Sequence, residues 1–140
     1  MISCFLGVPL KFAKIVFRVA AVYGVLILAP LYFLFDLIGR QDPPPITHPG
    51  FYYGFVGVAL AWQLAFWVIS TDPVRYRALM IPSVLEKLSF AGAVIVLVLQ
   101  HRMHPSDLTL TAIDLLLGVL FVAAYFKTPR GWPTPSVPPR

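Results

Sequence analysis

The segment FYYGFVGVALAWQLAFWVIS, Phe51 to Ser70, carries no charged residue. At about 1.5 Å of rise per residue, a helix of this length crosses the roughly 30 Å hydrocarbon core of a bilayer. Composition supports lipid as its solvent. Of 140 residues, 59% are hydrophobic and 12% charged, whereas about a quarter of an average soluble domain is charged. The segment also has two faces unsuited to lipid. Gly50, Gly54, Gly57, Ala61 and Ala65 form a small-residue groove where another backbone can approach. Tyr52, Ala59, Gln63 and Ser70 form a mildly polar strip about a third of a turn away. Two such faces predict a central helix with neighbours on both sides.

Three more apolar stretches complete an all-α integral membrane protein, an antiparallel four-helix transmembrane bundle. The spans are expected at about 15–38, 51–70, 83–101 and 108–126, in a single domain over 1–128. Residues 129–140 form a proline-rich tail, extended and mobile by composition. Pro30 should bend the first span, because it lacks an amide hydrogen and its ring collides with the preceding turn. GRQDPPPITHPG is a loop. In TDPVRYR, Asp72 before Pro73 predicts an N-cap with proline at the first helical position. Ser83 and Glu86 match a capping box at the start of the third span.

Nine basic residues (Lys11, Lys14, Arg18, Arg75, Arg77, Lys87, Lys127, Arg130, Arg140) fall on one side of these spans and two (Arg40, Arg102) on the other. The positive-inside rule then places both termini in the cytoplasm, as an even number of spans requires. The net charge of +5 is scattered between apolar spans rather than gathered in a patch, so nucleic acid is not the expected partner; the bilayer is. Cys4, the single cysteine, has no internal disulfide partner. Lys11 and Lys14 follow the first short apolar run instead of preceding it, so the first span reads as an uncleaved anchor.

Polar side chains within spans should face the bundle interior, since lipid offers no hydrogen-bond partners. The less apolar strips are Arg18, Ala21, Ala29, Tyr32 and Asp36 on the first span; Glu86, Ser89, Ala93 and Gln100 on the third; and Asp107, Thr111, Asp114 and Gly118 on the fourth. Arg18 and Glu86 lie at similar depth and are expected to form an interhelical ion pair, the alternative being a proton-carrying Glu86. Asp114 is expected to be protonated, paired, or hydrogen-bonded to Thr111 or a neighbouring helix, and is a candidate ligand or proton site together with Gln63 and Asp36. His101 and His104 would share a face if the third helix continued that far. With His48 and nearby carboxylates they are a weak metal candidate. Tyr52, Tyr53, Trp62, Phe66 and Trp67 could line a pocket for a flat lipid such as a quinone. No nucleotide loop, zinc-protease helix, CxxC pair or nucleophile elbow is present, so the reading leans away from an enzyme.

The run HPGFYYGFVGVALAWQLAFWVISTDPVRYRALMIPSVLEKLSF, followed by AIDLLLGVLF, resembles small bacterial four-span membrane proteins of the DoxX-like kind. The similarity is one of layout: short spans, a DPxRYR-type turn, and a span opening with Glu and Lys. It implies a multi-pass protein of the bacterial inner membrane. Because DoxX is associated with membrane quinone chemistry, it also implies quinone as the conceivable cofactor. The leading expectation is an accessory or interaction component binding a lipophilic ligand between helices, with another membrane protein or a second copy as partner. The alternative is a quinone-linked redox or proton/metal transport protein using Asp114, Gln63 and the outer histidines.

Overall fold

In the computed structural model, helix α1 spans Ser3–Leu28, α2 Phe35–Gln41, α3 Pro49–Thr71, α4 Met80–Leu99 and α5 Leu108–Lys127. The structure describes residues 3–41 and 45–131, with side chains from residue 10 onward. Most of the expected tail, Arg140, the prolines at 43 and 44 and the Cys4 side chain lie outside that description. Short 3-10 turns at Ala29–Phe33, Arg77–Leu79 and Pro105–Asp107 precede α2, α4 and α5. Among the described residues, four stretches are long and apolar enough to cross a membrane: Leu10–Phe33, Pro49–Thr71, Arg77–Leu99 and Pro105–Lys127. The all-α four-helix membrane bundle expected from the sequence is therefore the observed architecture.

The boundaries differ from expectation for local reasons. Pro30 cannot donate to the carbonyl of Leu26, so α1 ends at Leu28 and tightens into a 3-10 turn. The chain breaks at Leu34, and the remainder of the expected first span becomes the separate short helix α2. The Tyr52 hydroxyl donates to the Leu31 carbonyl at 2.8 Å, compensating part of the interrupted ladder. Asp72 does not start a helix: it ends α3, residues 73–76 form a turn before the 3-10 turn at Arg77, and its Oδ1 accepts the Arg75 amide at 3.2 Å within that turn. Ser83 does not cap. Helix α4 has already begun at Met80, with Pro82 in its first turn, where a missing amide hydrogen costs nothing. Ser83 Oγ instead donates back to Leu79 O at 2.7 Å.

The helices flanked on two sides are α1 and α5, not α3. Helix α1 packs along both α3 and α5, α4 packs along α5, and α3 meets α4 only sparsely. The reason is a small-residue seam on α1: Ala13, Ala20, Ala21 and Gly24 are all buried, letting two neighbours approach. Phe17 lies on the same face and anchors an aromatic cluster, stacked on Phe121 at 4.2 Å with Phe66 edge-on to Phe121 at 5.0 Å. On α3 the mildly polar strip turns inward, with Ala59, Gln63 and Ser70 buried. The expected small-residue groove largely faces out: Gly50, Gly54 and Ala61 are exposed. Ile15, Leu26, Phe51, Leu64, Leu99, Val119 and Phe126 are exposed too, an apolar exterior suited to lipid.

Arg77 closes the end of the bundle at which α5 finishes. Its Nε donates to Thr128 O at 3.0 Å and its Nη2 to Tyr125 O at 3.1 Å, while the guanidinium lies 3.7 Å from the Tyr125 ring centroid. The final carbonyls of α5, which have no partner within their own helix, are satisfied from the start of the third span.

Candidate functional site

Sparse contact between α3 and α4 leaves a cleft of about 1210 Å³, larger than the ~300–1,000 Å³ common for small-molecule sites. Helix α1 contributes Tyr23, Gly24 and Ile27, and α3 contributes Phe55, Val58, Trp62 and Gln63. Helix α4 contributes Leu85, Glu86, Lys87 and Phe90, and α5 contributes Leu110 and Asp114. Ile38 of α2 and Met103 lie at one end. The rim is open, since Phe55, Val58, Leu85 and Leu110 are exposed. Its lining is apolar apart from a few convergent polar groups.

The most consequential of these is Lys87, which the sequence suggested only as a topological charge. Its side chain is buried, its Nζ lies 2.9 Å from Asp114 Oδ1 and 3.4 Å from Glu86 Oε2, and it sits 5.6 Å from the Phe66 ring centroid. Residues Met80, Ser83, Lys87, Ala91 and Val94 form the buried face of α4, at the spacing of one helical stripe. The expected strip of Glu86, Ser89, Ala93 and Gln100 is rotated from it, and Ser89, Ala93 and Gln100 are exposed. Gly118 assists the approach: a Cβ there would lie 3.6 Å from Lys87 Cβ, so α5 packs directly against the lysine stem.

Glu86 and Asp114, expected toward opposite ends of the bundle, are thus joined in one ion-pair cluster. The expected Arg18–Glu86 pair does not form. Arg18 is on the exposed face of α1, with its guanidinium 5.5 Å from the Trp67 ring centroid, and Glu86 takes the adjacent lysine instead. Thr111 does not hold Asp114 either, since its hydroxyl donates to Asp107 O at 3.0 Å.

Gln63 is 2% exposed. Its Nε2 donates to Ala59 O at 2.9 Å, and because a carbonyl can only accept, that bond fixes the orientation of the amide. Oε1 is left buried without a donor. A Cβ at Gly24 would collide with this carboxamide, so Gly24 is the space that Gln63 occupies.

The remaining candidates lie elsewhere. Asp36 is exposed in the first turn of α2. His48, also exposed, packs edge-on to Phe51. His101 does not share a helical face with His104: α4 has ended at Leu99, and His101 adopts φ 56°. His104 Nδ1 lies 3.4 Å from Ser106 Oγ. Among the described residues, no three or more His, Cys, Asp and Glu side chains gather to hold a metal. Of the expected aromatic lining only Trp62 borders the cleft. Phe66 is in the core, and Tyr52 and Tyr53 cluster with Phe35 at 5.1 and 5.5 Å.

Compared with known proteins, the chain matches no family model, no curated protein and no solved structure.

Proposed function

We propose that this protein is a non-enzymatic membrane component that binds a lipophilic ligand in the cleft between α3 and α4. The observation that carries this reading is the cleft itself: a wide, laterally exposed cavity, mostly apolar with a few polar groups, the usual character of a small-molecule site. An accessory role fits the outward Gly50, Gly54 and Ala61 of α3, where a Cβ at either glycine would meet nothing within 4 Å. Another membrane protein or a second copy could pack closely there. The orientation proposed keeps both termini cytoplasmic in a bacterial inner membrane. Lys87 drops out of the topological count because it is buried with Asp114, but Lys11, Lys14, Arg18, Arg75, Arg77, Lys127 and Arg130 still outnumber Arg40 and Arg102.

The test is to purify the protein from membranes and identify what accompanies it by mass spectrometry, beside a Val58→Trp variant that fills the exposed rim. A stoichiometric lipophile lost in the variant supports the reading. Only bulk phospholipid, in membrane proportions and unchanged in the variant, defeats it. A second reading, quinone-linked redox or proton chemistry in line with the DoxX-like resemblance, is favoured by the convergence of Asp114 and Gln63 on one cleft. A stoichiometric quinone in the same experiment selects it.

A further inference from the structure

We infer that the cleft selects a lipophilic cation, an ammonium head on an apolar tail, over neutral or anionic amphiphiles. The inference rests on the cleft being the ligand site. Charges facing the cleft are unequal: Lys87 contributes one ammonium, against the carboxyl groups of Glu86 and Asp114. Asp114 takes the tight contact with Lys87, at 2.9 Å. Glu86 is held more loosely: its Oε1 accepts from Lys87 Nζ at 3.4 Å, and its buried Oε2 lies 3.4 Å from the same nitrogen without a hydrogen bond of its own. Helices α1 and α3 supply no compensating charge to the cleft; Tyr23 and Gln63 are their polar groups there, and Arg18 lies out by Trp67.

Gln63 is a second, independent sign. Its amide nitrogen is committed to Ala59, so what it leaves unpartnered is an acceptor, Oε1. Gln63 Oε1 therefore calls for a donor, while both Glu86 oxygens share one distant ammonium at 3.4 Å. An ammonium group supplies several donors and a positive charge beside two carboxyl groups that share one lysine, and in a low-dielectric site that charge counts for more than in water. Aromatic side chains of Tyr23, Phe55, Trp62 and Phe90 border the same space and favour a cation over an anion. The exposed apolar rim accommodates the tail.

The experiment compares three probes of equal tail length, dodecylammonium, dodecanol and dodecanoate, by native mass spectrometry of the full chain in zwitterionic nanodiscs near neutral pH. Dodecylammonium should bind at least about tenfold more tightly than dodecanol, the scale of one charge-assisted hydrogen bond, with dodecanoate weakest. Glu86→Gln should remove that advantage, bringing the amine-to-alcohol ratio to about one, with folding of the variant read independently from its circular dichroism and thermal unfolding in the same nanodiscs. Should Glu86→Gln lose both probes, the ratio in the unaltered protein decides. Equal affinity for amine and alcohol, or an amine preference that survives Glu86→Gln, overturns charge selection but leaves the cleft as a ligand site. Failure of every probe to bind overturns both.

Discussion

Lys87 Nζ stands 2.9 Å from Asp114 Oδ1 across the seam between α4 and α5, with side-chain exposures of 9% and 17%. Two ionisable side chains placed within spans are costly individually and tolerable together, which makes each a condition for burying the other.

Removing one partner should therefore cost far more than removing both. Asp114→Asn is expected to lower stability by about 1.5–3 kcal/mol, the range for losing a hydrogen bond to a charged group, because Lys87 keeps Glu86 at 3.4 Å. Lys87→Met should cost a similar amount, because it leaves two carboxyl groups facing each other. The double variant should fall well short of the sum, a coupling that reversible unfolding in mixed micelles would measure. Additive losses would mean that the pair contributes nothing as a pair.

Arg77 is expected to act as the C-terminal cap of α5, because its guanidinium meets the carbonyls of both Tyr125 and Thr128. Arg77→Ala should destabilise by about 1–2 kcal/mol after allowing for its partial exposure, with hydrogen exchange accelerated in the last turn of α5. Arg77→Lys should recover only part of this, since an ammonium cannot reproduce the planar fork. Full rescue by lysine would reduce the contact to simple charge.

Four spans were legible because length and absence of charge are local properties of each segment. The faces were less so. On α5, Thr111 and Gly118 were expected inside and are buried, with Asp114 partly so. On α4, Glu86 and Lys87 are adjacent and equally polar, so periodicity along that helix alone could not say which turns inward. The tie is broken by Asp114 on α5, a partner that no pattern within α4 contains. Ser83, Lys87 and Ala91 recur at helical spacing on the face that is buried, but Glu86, Ser89 and Ala93 recur at a comparable spacing, so neither stripe stands out within α4. On α3, small residues and mildly polar ones both suggested packing faces. Polarity prevailed, since glycine and alanine can face lipid while an amide such as Gln63 cannot do so cheaply.

His101 should be replaceable with profit. It follows the last turn of α4 at φ 56°, its amide donating to Val98 O at 2.9 Å and that of Arg102 to Leu97 O at 2.9 Å. This is the bonding pattern in which glycine is the favoured residue. His101→Gly is expected to stabilise by about 1 kcal/mol, by relieving the left-handed strain on a residue with a Cβ, and His101→Val to destabilise by at least as much. If metal binding governed this residue, zinc would stabilise the unaltered protein and not His101→Gly; thermal unfolding with and without zinc distinguishes the two.

Gly24 and Gly118 both lie at helix crossings, yet they should respond differently to alanine. At Gly118 a new Cβ would meet Lys87 and Leu88 atoms at 3.6 and 3.7 Å, ordinary contact distances, so Gly118→Ala should be nearly neutral. At Gly24 the Cβ would occupy space held by the Gln63 carboxamide. That group is the far end of a flexible side chain, so Gly24→Ala need not unfold the bundle. It should push the amide away from α1, break the bond from Nε2 to Ala59 O, and cost about 1–2 kcal/mol for a buried hydrogen bond. Ligand affinity should fall with it. Shortening the obstructing side chain provides the check: in a Gln63→Ala background the Gly24→Ala penalty should largely vanish, since there is no longer an amide to displace. An unchanged penalty in that background would place the clash with the helix α3 backbone, and would remove Gly24 as the feature that positions Gln63.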